Sequence, residues 1–446
     1  MKGQKVQWKR HLTSFRLIIL GFAGVIVLGA LLLSLPIASA DGRWTPFRES
    51  LFTATSAVCV TGLVVHDTGS YWSLFGQGII LLMIQIGGLG VVTAAAMFMM
   101  FAGKHISIRG RSAMQDALSA PAVGGIVRLT IFILKGTFII ELLGAAAMLP
   151  VFLRDFGTRG IWMSLFHSVS AFCNAGFDIM GSADNQYVSM MGYADNALIV
   201  TVLILLIVIG GIGFLTWNDI CTHKLKIHRY RLQSKVILAA SGVLIFFPAL
   251  LFFFTDYAQL PMKERFLLSL FQAVTPRTAG FNTADLSSMT EVSRAVMTVL
   301  MLIGGAPGST AGGMKVTTAT VLMANAFATF RRRESPQIFR RRLDDSAAKN
   351  ASAILMMYMA LFFTGAMIIS AAEGAPLHLC LFETASAVGT VGLSLGLTPG
   401  LGSVSQWVLI VLMFIGRVGG LTLIYATFSG HYFSYVKYPK EQITVG

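Results

Sequence analysis

Charge is what this sequence has least of. Only 12% of its 446 residues are Asp, Glu, Lys or Arg, against roughly 25% in an average soluble domain. Hydrophobic residues make up 55%, and the mean hydropathy is +0.72. These values exclude a chain that buries its apolar surface in one soluble core, so we expect one integral membrane domain over residues 1–446 and no folded soluble domain. Cysteine is scarce as well. Cys59, Cys173, Cys221 and Cys380 show no Cys-x-x-Cys spacing and no His partner set, which excludes a zinc site and a disulfide framework and leaves them as small buried residues. The chain also lacks His-Glu-x-x-His, a nucleophile motif and paired intramembrane carboxylates; we therefore expect no enzyme, no catalytic residue and no covalently bound cofactor.

What is abundant is apolar sequence in a repeated pattern. Leu51-Phe52, Leu165-Phe166, Leu270-Phe271 and Leu381-Phe382 each open a short apolar segment that runs into a loop centred on Gly62, Gly176, Gly280 and Gly392. Three of the segments end in Ser-Ala, at Ser56-Ala57, Ser170-Ala171 and Ser386-Ala387. Around them the chain divides into four repeats, about 17–102, 126–217, 236–329 and 351–428. Each reads as span, short re-entrant helix, loop, span. A helix of about 10 to 14 residues is too short to cross a hydrocarbon core of about 30 Å, so the middle segments turn back. Backbone outside a helix is tolerated at membrane depth only within protein or along water. The expected fold is thus an all-α membrane protein with eight transmembrane helices and four re-entrant pore loops around one central pore.

Topology follows from the placement of the 34 basic residues. On these spans 23 lie in the N-terminal stretch, the connections at 103–128, 218–235 and 330–350 and the tail, 8 on the opposite side and 3 inside spans. Such asymmetry puts both termini in the cytoplasm and accounts for the net charge of +14 without nucleic acid. The stretch Leu17–Leu35 followed by Ala38-Ser39-Ala40 imitates a signal peptide, but 19 apolar residues exceed a signal core, and we read it as a retained span.

The loops read Val60-Thr61-Gly62, Asn174-Ala175-Gly176, Thr278-Ala279-Gly280 and Thr390-Val391-Gly392. Glycine alone reaches positive φ without steric cost, so small side chains around it let successive carbonyls face one axis. A ring of carbonyls replaces the hydration shell of a potassium ion. The second span of every repeat holds a glycine cluster. Gly87-Gly88-Leu89-Gly90 and Gly210-Gly211-Ile212-Gly213 are read as close helix packing, and Gly87→Ala or Gly210→Ala as mild changes. The third differs, because Gly304 to Lys315 puts five glycines and Pro307 inside a run too long for one span, and the helix is expected to break there.

At this point the sequence resembles the Trk/Ktr/HKT superfamily of potassium transporters. The likeness covers essentially the whole chain: the four loop glycines, the string Thr275-Pro276-Arg277-Thr278-Ala279-Gly280-Phe281-Asn282, the glycine-rich interruption and Arg417 in the last span. With eight spans it looks most like the Ktr membrane subunit. The resemblance implies potassium uptake across the cell membrane through a selectivity filter of the four loops, stimulated by sodium, in a homodimer regulated by a cytoplasmic ring of nucleotide-binding subunits. It also implies a gate of Gly304, Gly305, Gly308, Ser309, Thr310, Gly312, Gly313, Lys315 and Arg417. Arg417 either faces the pore or serves assembly, and Lys315 either sets the loop or snorkels to the cytoplasmic face. Lys135 and Glu141, six apart, are not neighbours on a helix face and receive no role.

The outer side carries 13 acidic residues against 8 basic ones, including Glu49, Asp67, Asp178, Asp184, Asp195, Asp285, Glu291 and Glu383. They either form a cation-concentrating vestibule or are scattered solvated carboxylates. The competing reading is a secondary transporter of sodium, ammonium or a small solute; inverted repeats would favour it, but all four repeats begin on the same side.

Overall fold

In the computed structural model, residues 14–101, 106–118, 124–333 and 335–420 are described, together with Thr422 and Glu441. The basic stretch 1–13, the parts 102–105 and 119–123 of a connection, the end of the fourth repeat towards 428 and most of the tail lie outside the described residues.

The first repeat is α1 (Ser14–Ser34), the re-entrant α2 (Phe47–Val58), α3 (Leu74–Leu89) and α4 (Val91–Phe101), followed by α5 (Ile108–Leu118). The second is α6 (Ile126–Phe156), α7 (Arg159–Phe172), α8 (Ala197–Gly211) and α9 (Phe214–His223). The third is α10 (Leu232–Phe254), α11 (Met262–Val274), α12 (Glu291–Leu302) and α13 (Val316–Phe330), after which a two-residue hairpin pairs β1 (Gln337–Ile338) with β2 (Arg341–Arg342). The fourth is α14 (Asp345–Glu373), α15 (Leu377–Gly389) and α16 (Ser403–Val418). Short one-turn helices lie between some of these.

The opening helix of each repeat is long and apolar. At about 1.5 Å per residue, the 21 residues of α1 match a hydrocarbon core of about 30 Å. Its inner face, Ile18, Phe22, Ile26, Ala30 and Leu33, recurs at helical spacing and is buried, whereas Leu17, Leu20, Leu28 and Leu31 stay exposed. Exposure of leucine on such a helix fits contact with lipid rather than water. Each opening helix packs along the re-entrant helix of its own repeat.

The closing helices join one repeat to the next. α3 packs on α7, α8 on α11, α12 on α15 and α16 on α2, so that the fourth repeat contacts the first. Four similar units linked in this order close into a ring, and the four re-entrant helices end inside it.

The closing helices of the first two repeats are not the straight spans expected from their hydropathy. α3 and α4 are bent by 100° and α8 and α9 by 99°; the breaks fall at Gly90 and Gly213, with φ of +85° and +89°. α16 stops at Gly419, where φ is +87°. A left-handed residue cannot continue the i to i−4 ladder of a right-handed helix, and glycine takes that conformation without a Cβ penalty. In the third repeat the interruption is longer, from Ile303 to Lys315, where Ile303 bridges Met314 in parallel. Three of the four cysteines are buried, but Cys221 on α9 is exposed.

Orientation is testable with a thiol that is already present. Charge placement puts Cys221, Ser112 on α5 and Ser346 on α14 in the cytoplasm, and the exposed Ser182 outside. A membrane-impermeant maleimide should label Ser182→Cys in intact cells, in a background with Cys221 replaced by Ser. It should reach Cys221 in the unaltered protein, and Ser346→Cys in the same background, only after the membrane is opened. Labelling of Cys221 in intact cells would reverse the orientation.

Candidate functional site

The four re-entrant helices deliver their loops to one place, and a hydroxyl at each helix end holds the turn. Ser56 Oγ accepts from the amide of Gly62 and Ser386 Oγ from that of Gly392, both at 3.0 Å. Ser170 Oγ donates to the carbonyl of Phe177 and Thr275 Oγ1 to that of Phe281, both at 2.6 Å. The backbone repeats the pattern: Thr61, Ala175 and Val391 donate to the carbonyls of Ser56, Ser170 and Ser386 at 2.8 Å. In the third loop, one residue shorter, Ala279 donates to Thr275 at 2.9 Å. The Ser-Ala pairs that mark the repeat in the sequence are thus braces, and their bonds were not legible there.

Backbone sign alternates in every loop. Val60, Asn174, Thr278 and Thr390 have φ of +50°, +55°, +68° and +52°, and Gly62, Gly176, Gly280 and Gly392 have +94°, +68°, +81° and +96°. The residue between each pair has negative φ. Left-handed backbone at a non-glycine residue is uncommon, and its recurrence at four equivalent positions marks a shared geometry.

The glycines are packed against one another in chain order. A Cβ on Gly62 would lie 2.6 Å from the carbonyl oxygen of Ala175, and one on Gly176 would lie 2.9 Å from that of Ala279. One on Gly280 would overlap the carbonyl of Val391, and one on Gly392 that of Thr61, which closes the circle. The missing side chains are therefore replaced by the next repeat's carbonyls. The hydroxyl oxygens of Thr61 and Thr390 are buried and have no partner among the described residues. The Asn174 amide, with its NH2 towards the carbonyls of Ile207, Ala171 and Phe172 at 3.2 to 3.3 Å, accepts from Thr278 Oγ1 at 3.3 Å.

Beneath the ring lies the interrupted segment of the third repeat. A Cβ on Gly312 would strike the side chain of Thr390, and one on Gly313 would lie 2.8 Å from the carbonyl of Gly389. The segment is pinned on both flanks: Ala306 N–H donates to Gly211 at 2.9 Å, Phe214 N–H to Gly308 at 2.7 Å, and Gly313 N–H to Gly416 at 3.2 Å. Its ends are joined by Gly304 N–H to Met314 at 2.7 Å and Val316 N–H to Gly305 at 3.0 Å. Thr310 Oγ1 donates to the Phe172 carbonyl at 3.1 Å, and Lys315 Nζ turns back to Ala311 at 2.7 Å. Arg417 donates to the carbonyl of Thr310 in the segment and to those of Gly87 and Gly88, the latter at 3.3 Å. The Ser309 hydroxyl donates to the Ala306 carbonyl at 2.7 Å.

Two cavities flank this assembly. The outer one, about 440 Å³, is lined by the four loop glycines and by Asp67, Asp178 and Asp285. Burial and the nearby Asp67 push the Asp178 carboxyl up to about 7, against a bond from the Met180 amide. Of the other acids, Glu49 pairs with His66 at 2.7 Å, and Glu383 is fully buried behind the fourth loop. The inner cavity, about 370 Å³, is lined by Gly308, Ser309, Ala311, Gly313, Lys315 and Arg417. Lys135 is exposed, and Glu141 is buried, meeting Gln85 Nε2 at 3.3 Å.

The clusters read as packing in the first two repeats also approach the loops. A Cβ on Gly87 would overlap the carbonyl of Val58, on Gly210 that of Phe172 and on Gly416 that of Val388, the ends of three re-entrant helices. Gly87→Ala and Gly210→Ala are therefore not the mild changes expected from sequence.

Comparison with known proteins adds to this geometry. The family model TrkH, described as cation transport protein, matches residues 22–435. The potassium/sodium uptake protein NtpJ of Enterococcus hirae is 37% identical, with 100% of each chain covered. The Ktr system potassium uptake protein B of Bacillus subtilis is 36% identical over 100% of this chain and 99% of that one. The crystal structure of the potassium transporter TrkH from Vibrio parahaemolyticus matches with a TM-score of 0.74 at 18% identity, covering 92% of this chain and 83% of that one; it bears on the fold alone.

Glycine contacts in the ring set a stability test. Gly280→Ala and Gly392→Ala combine a left-handed residue, which costs about 1 to 2 kcal/mol, with overlap on a neighbouring carbonyl. Both should lower the thermal midpoint of the purified protein. Gly242→Ala on α10, where a Cβ meets nothing within 4 Å, should leave it unchanged or slightly raised. Equal midpoints for the three would contradict a closely packed ring.

Proposed function

The chain belongs to the TrkH family of cation transport proteins, membrane transporters and not enzymes, and on that premise we propose that it takes potassium into the cell through the ring of four glycine loops. The observation that carries this reading is the closure of the ring: four loops, braced alike, set the carbonyls of Thr61, Ala175, Ala279 and Val391 against neighbouring glycines. Carbonyls held in this way can take the place of water around a dehydrated cation. Buried hydroxyls without partners, such as those of Thr61 and Thr390, cost about 1 to 3 kcal/mol each, and a cation passing the ring would offset that cost. Potassium and not sodium is favoured by Gly62 in the first loop, where some plant relatives of the superfamily carry Ser. Acidic groups on the outer cavity raise the local cation concentration.

The segment from Gly304 to Lys315 is the gate in this reading. It lines the inner cavity and packs under the fourth loop at Gly389 and Thr390, and Arg417 ties its Thr310 carbonyl to Gly87 and Gly88 of the first repeat. A positive guanidinium under the ring opposes a cation, while its bonds hold the segment shut. Glycine-rich backbone can exchange those bonds for others without breaking a helix, which suits an element with two positions. Following the Ktr resemblance, the proposal includes sodium as an activator, a homodimer, both termini in the cytoplasm of the cell membrane, and a cytoplasmic ring of nucleotide-binding subunits that moves the gate.

Flux in liposomes tests it. Purified protein should carry rubidium or potassium in preference to sodium. Arg417→Gln and deletion of Ala311 to Gly313 should each raise flux several-fold and reduce its dependence on the regulatory ring. A folded deletion variant with unchanged, fully ring-dependent flux would rule out the gate, and absence of potassium flux in the unaltered protein would rule out the function.

A further inference from the structure

The residue that follows each Leu-Phe pair has no part in the ring itself. It is Thr53, His167, Gln272 and Glu383, nine residues before the loop glycine and eight in the shorter third loop. All four are 0 to 1% exposed, although three of them carry groups that are seldom buried without partners. Three of them bond to the arm beyond their own loop glycine. His167 Nε2 accepts from the amide of Ile179 at 3.3 Å, while its Nδ1 proton goes to the Met163 carbonyl at 2.8 Å. Ile179 is three residues beyond Gly176. Gln272 Nε2 donates to Asn282 Oδ1 at 3.5 Å, two residues beyond Gly280. Glu383 Oε1 accepts from Ser394 Oγ at 2.6 Å and from the Leu395 amide at 3.1 Å, two and three residues beyond Gly392. Its Oε2 accepts from Thr398 Oγ1 at 2.6 Å. Thr53 Oγ1 has no partner among the described residues.

We propose that in the second, third and fourth repeats this position is a strut between the re-entrant helix and the arm that leaves its loop outwards, and that Glu383 is the positioning residue for the fourth loop. The strut acts on the opposite side of the glycine from the Ser brace. Ser386 fixes the amide of Gly392 from the helix end, and Glu383 fixes Ser394, Leu395 and Thr398 beyond it, so Gly392 and the Val391 carbonyl are held from both directions. The position is used unequally: three bonds to a carboxyl in the fourth repeat, one bond each in the second and third, none in the first. Bonds to a carboxylate are the strongest of this set, which makes the fourth loop the most rigid wall of the ring. Glu383 touches no ion in this scheme and acts through the carbonyl it steadies.

The inference rests on the transport reading, and its test separates the two. The ratio of potassium to sodium uptake is measured in liposomes for the unaltered protein and for Glu383→Ala, Glu383→Gln, Ser394→Ala and Thr398→Ala. Glu383→Ala removes all three bonds and should lower the ratio by at least about tenfold, the factor carried by losing even one hydrogen bond to a charged group, mainly through a raised KM for potassium. Glu383→Gln keeps an oxygen acceptor for the Leu395 amide and the Ser394 hydroxyl, and the Thr398 hydroxyl can accept from the new NH2, so it should recover part of the loss. Ser394→Ala and Thr398→Ala each remove one bond outside the helix; they should shift the ratio less, in the same direction, and report on the strut even if Glu383→Ala fails to fold. An unchanged ratio in folded Ser394→Ala and Thr398→Ala would overturn the strut. Loss of potassium uptake in the unaltered protein would instead overturn the transport reading.

Discussion

Four backbones have to meet where no side chain fits. In the ring formed by Gly62, Gly176, Gly280 and Gly392, any Cβ would collide with the next repeat's carbonyl or lie within about 3 Å of it. That contact dictates much of the rest. Loops that meet so closely need re-entrant helices short enough to stop inside the membrane, and those helices need opening helices to shield them from lipid. The closing helices carry the contact onward by packing on the following repeat. Their own glycines, Gly87, Gly210 and Gly416, sit against the re-entrant helix ends for the same reason. A close approach of backbones at the axis thus explains glycine at two levels of the molecule.

Symmetry at the ring coexists with asymmetry around it. The third repeat has a shorter loop, a Thr brace in place of Ser and a closing helix interrupted over Ile303 to Lys315. The fourth supplies Arg417, which reaches across to the first repeat and to the third repeat's segment. The interrupted segment and Arg417 lie at the inner cavity, whereas the outer side keeps four loop glycines facing a cavity lined by three aspartates. Selecting an ion calls for a fixed, nearly equivalent set of oxygens; controlling its passage calls for one element unlike the others. A single chain of four repeats can diverge at one position without altering the other three, which four identical chains cannot do.

The architecture was legible in the sequence wherever it rests on length and hydropathy. Opening helices, re-entrant helices and loop glycines follow from apolar runs of two lengths and a repeated Leu-Phe. The bends at Gly90 and Gly213 and the stop at Gly419 were not legible, because a glycine in an apolar run is compatible with both a helix contact and a left-handed break, and neighbouring repeats decide between them. Gly87 and Gly210 looked replaceable for the same reason: the carbonyls of Val58 and Phe172 that crowd them are far away in the chain. Ser56, Ser170 and Ser386 were visible as a motif but not as braces. Cys221 was expected to be buried like the other cysteines; it lies beyond the bend at Gly213, on a helix that carries Asp219 and His223 and is not a continuation of the span. Arg417 stood out as a charge in an apolar helix and was grouped with Thr310 in the expected gate, whereas its acceptors Gly87 and Gly88, at the break in the first repeat, could be named only from the structure.

The central claim is that the four loops form one cation site on a common axis. Anomalous diffraction from crystals soaked in rubidium or thallium addresses it directly, since either ion stands in for potassium. The account predicts ion density on the axis, within coordination distance of the carbonyls of Thr61, Ala175, Ala279 and Val391, that weakens when sodium replaces the heavy ion. Density confined to the outer cavity beside Asp67 and Asp178, with none at the ring, would contradict it.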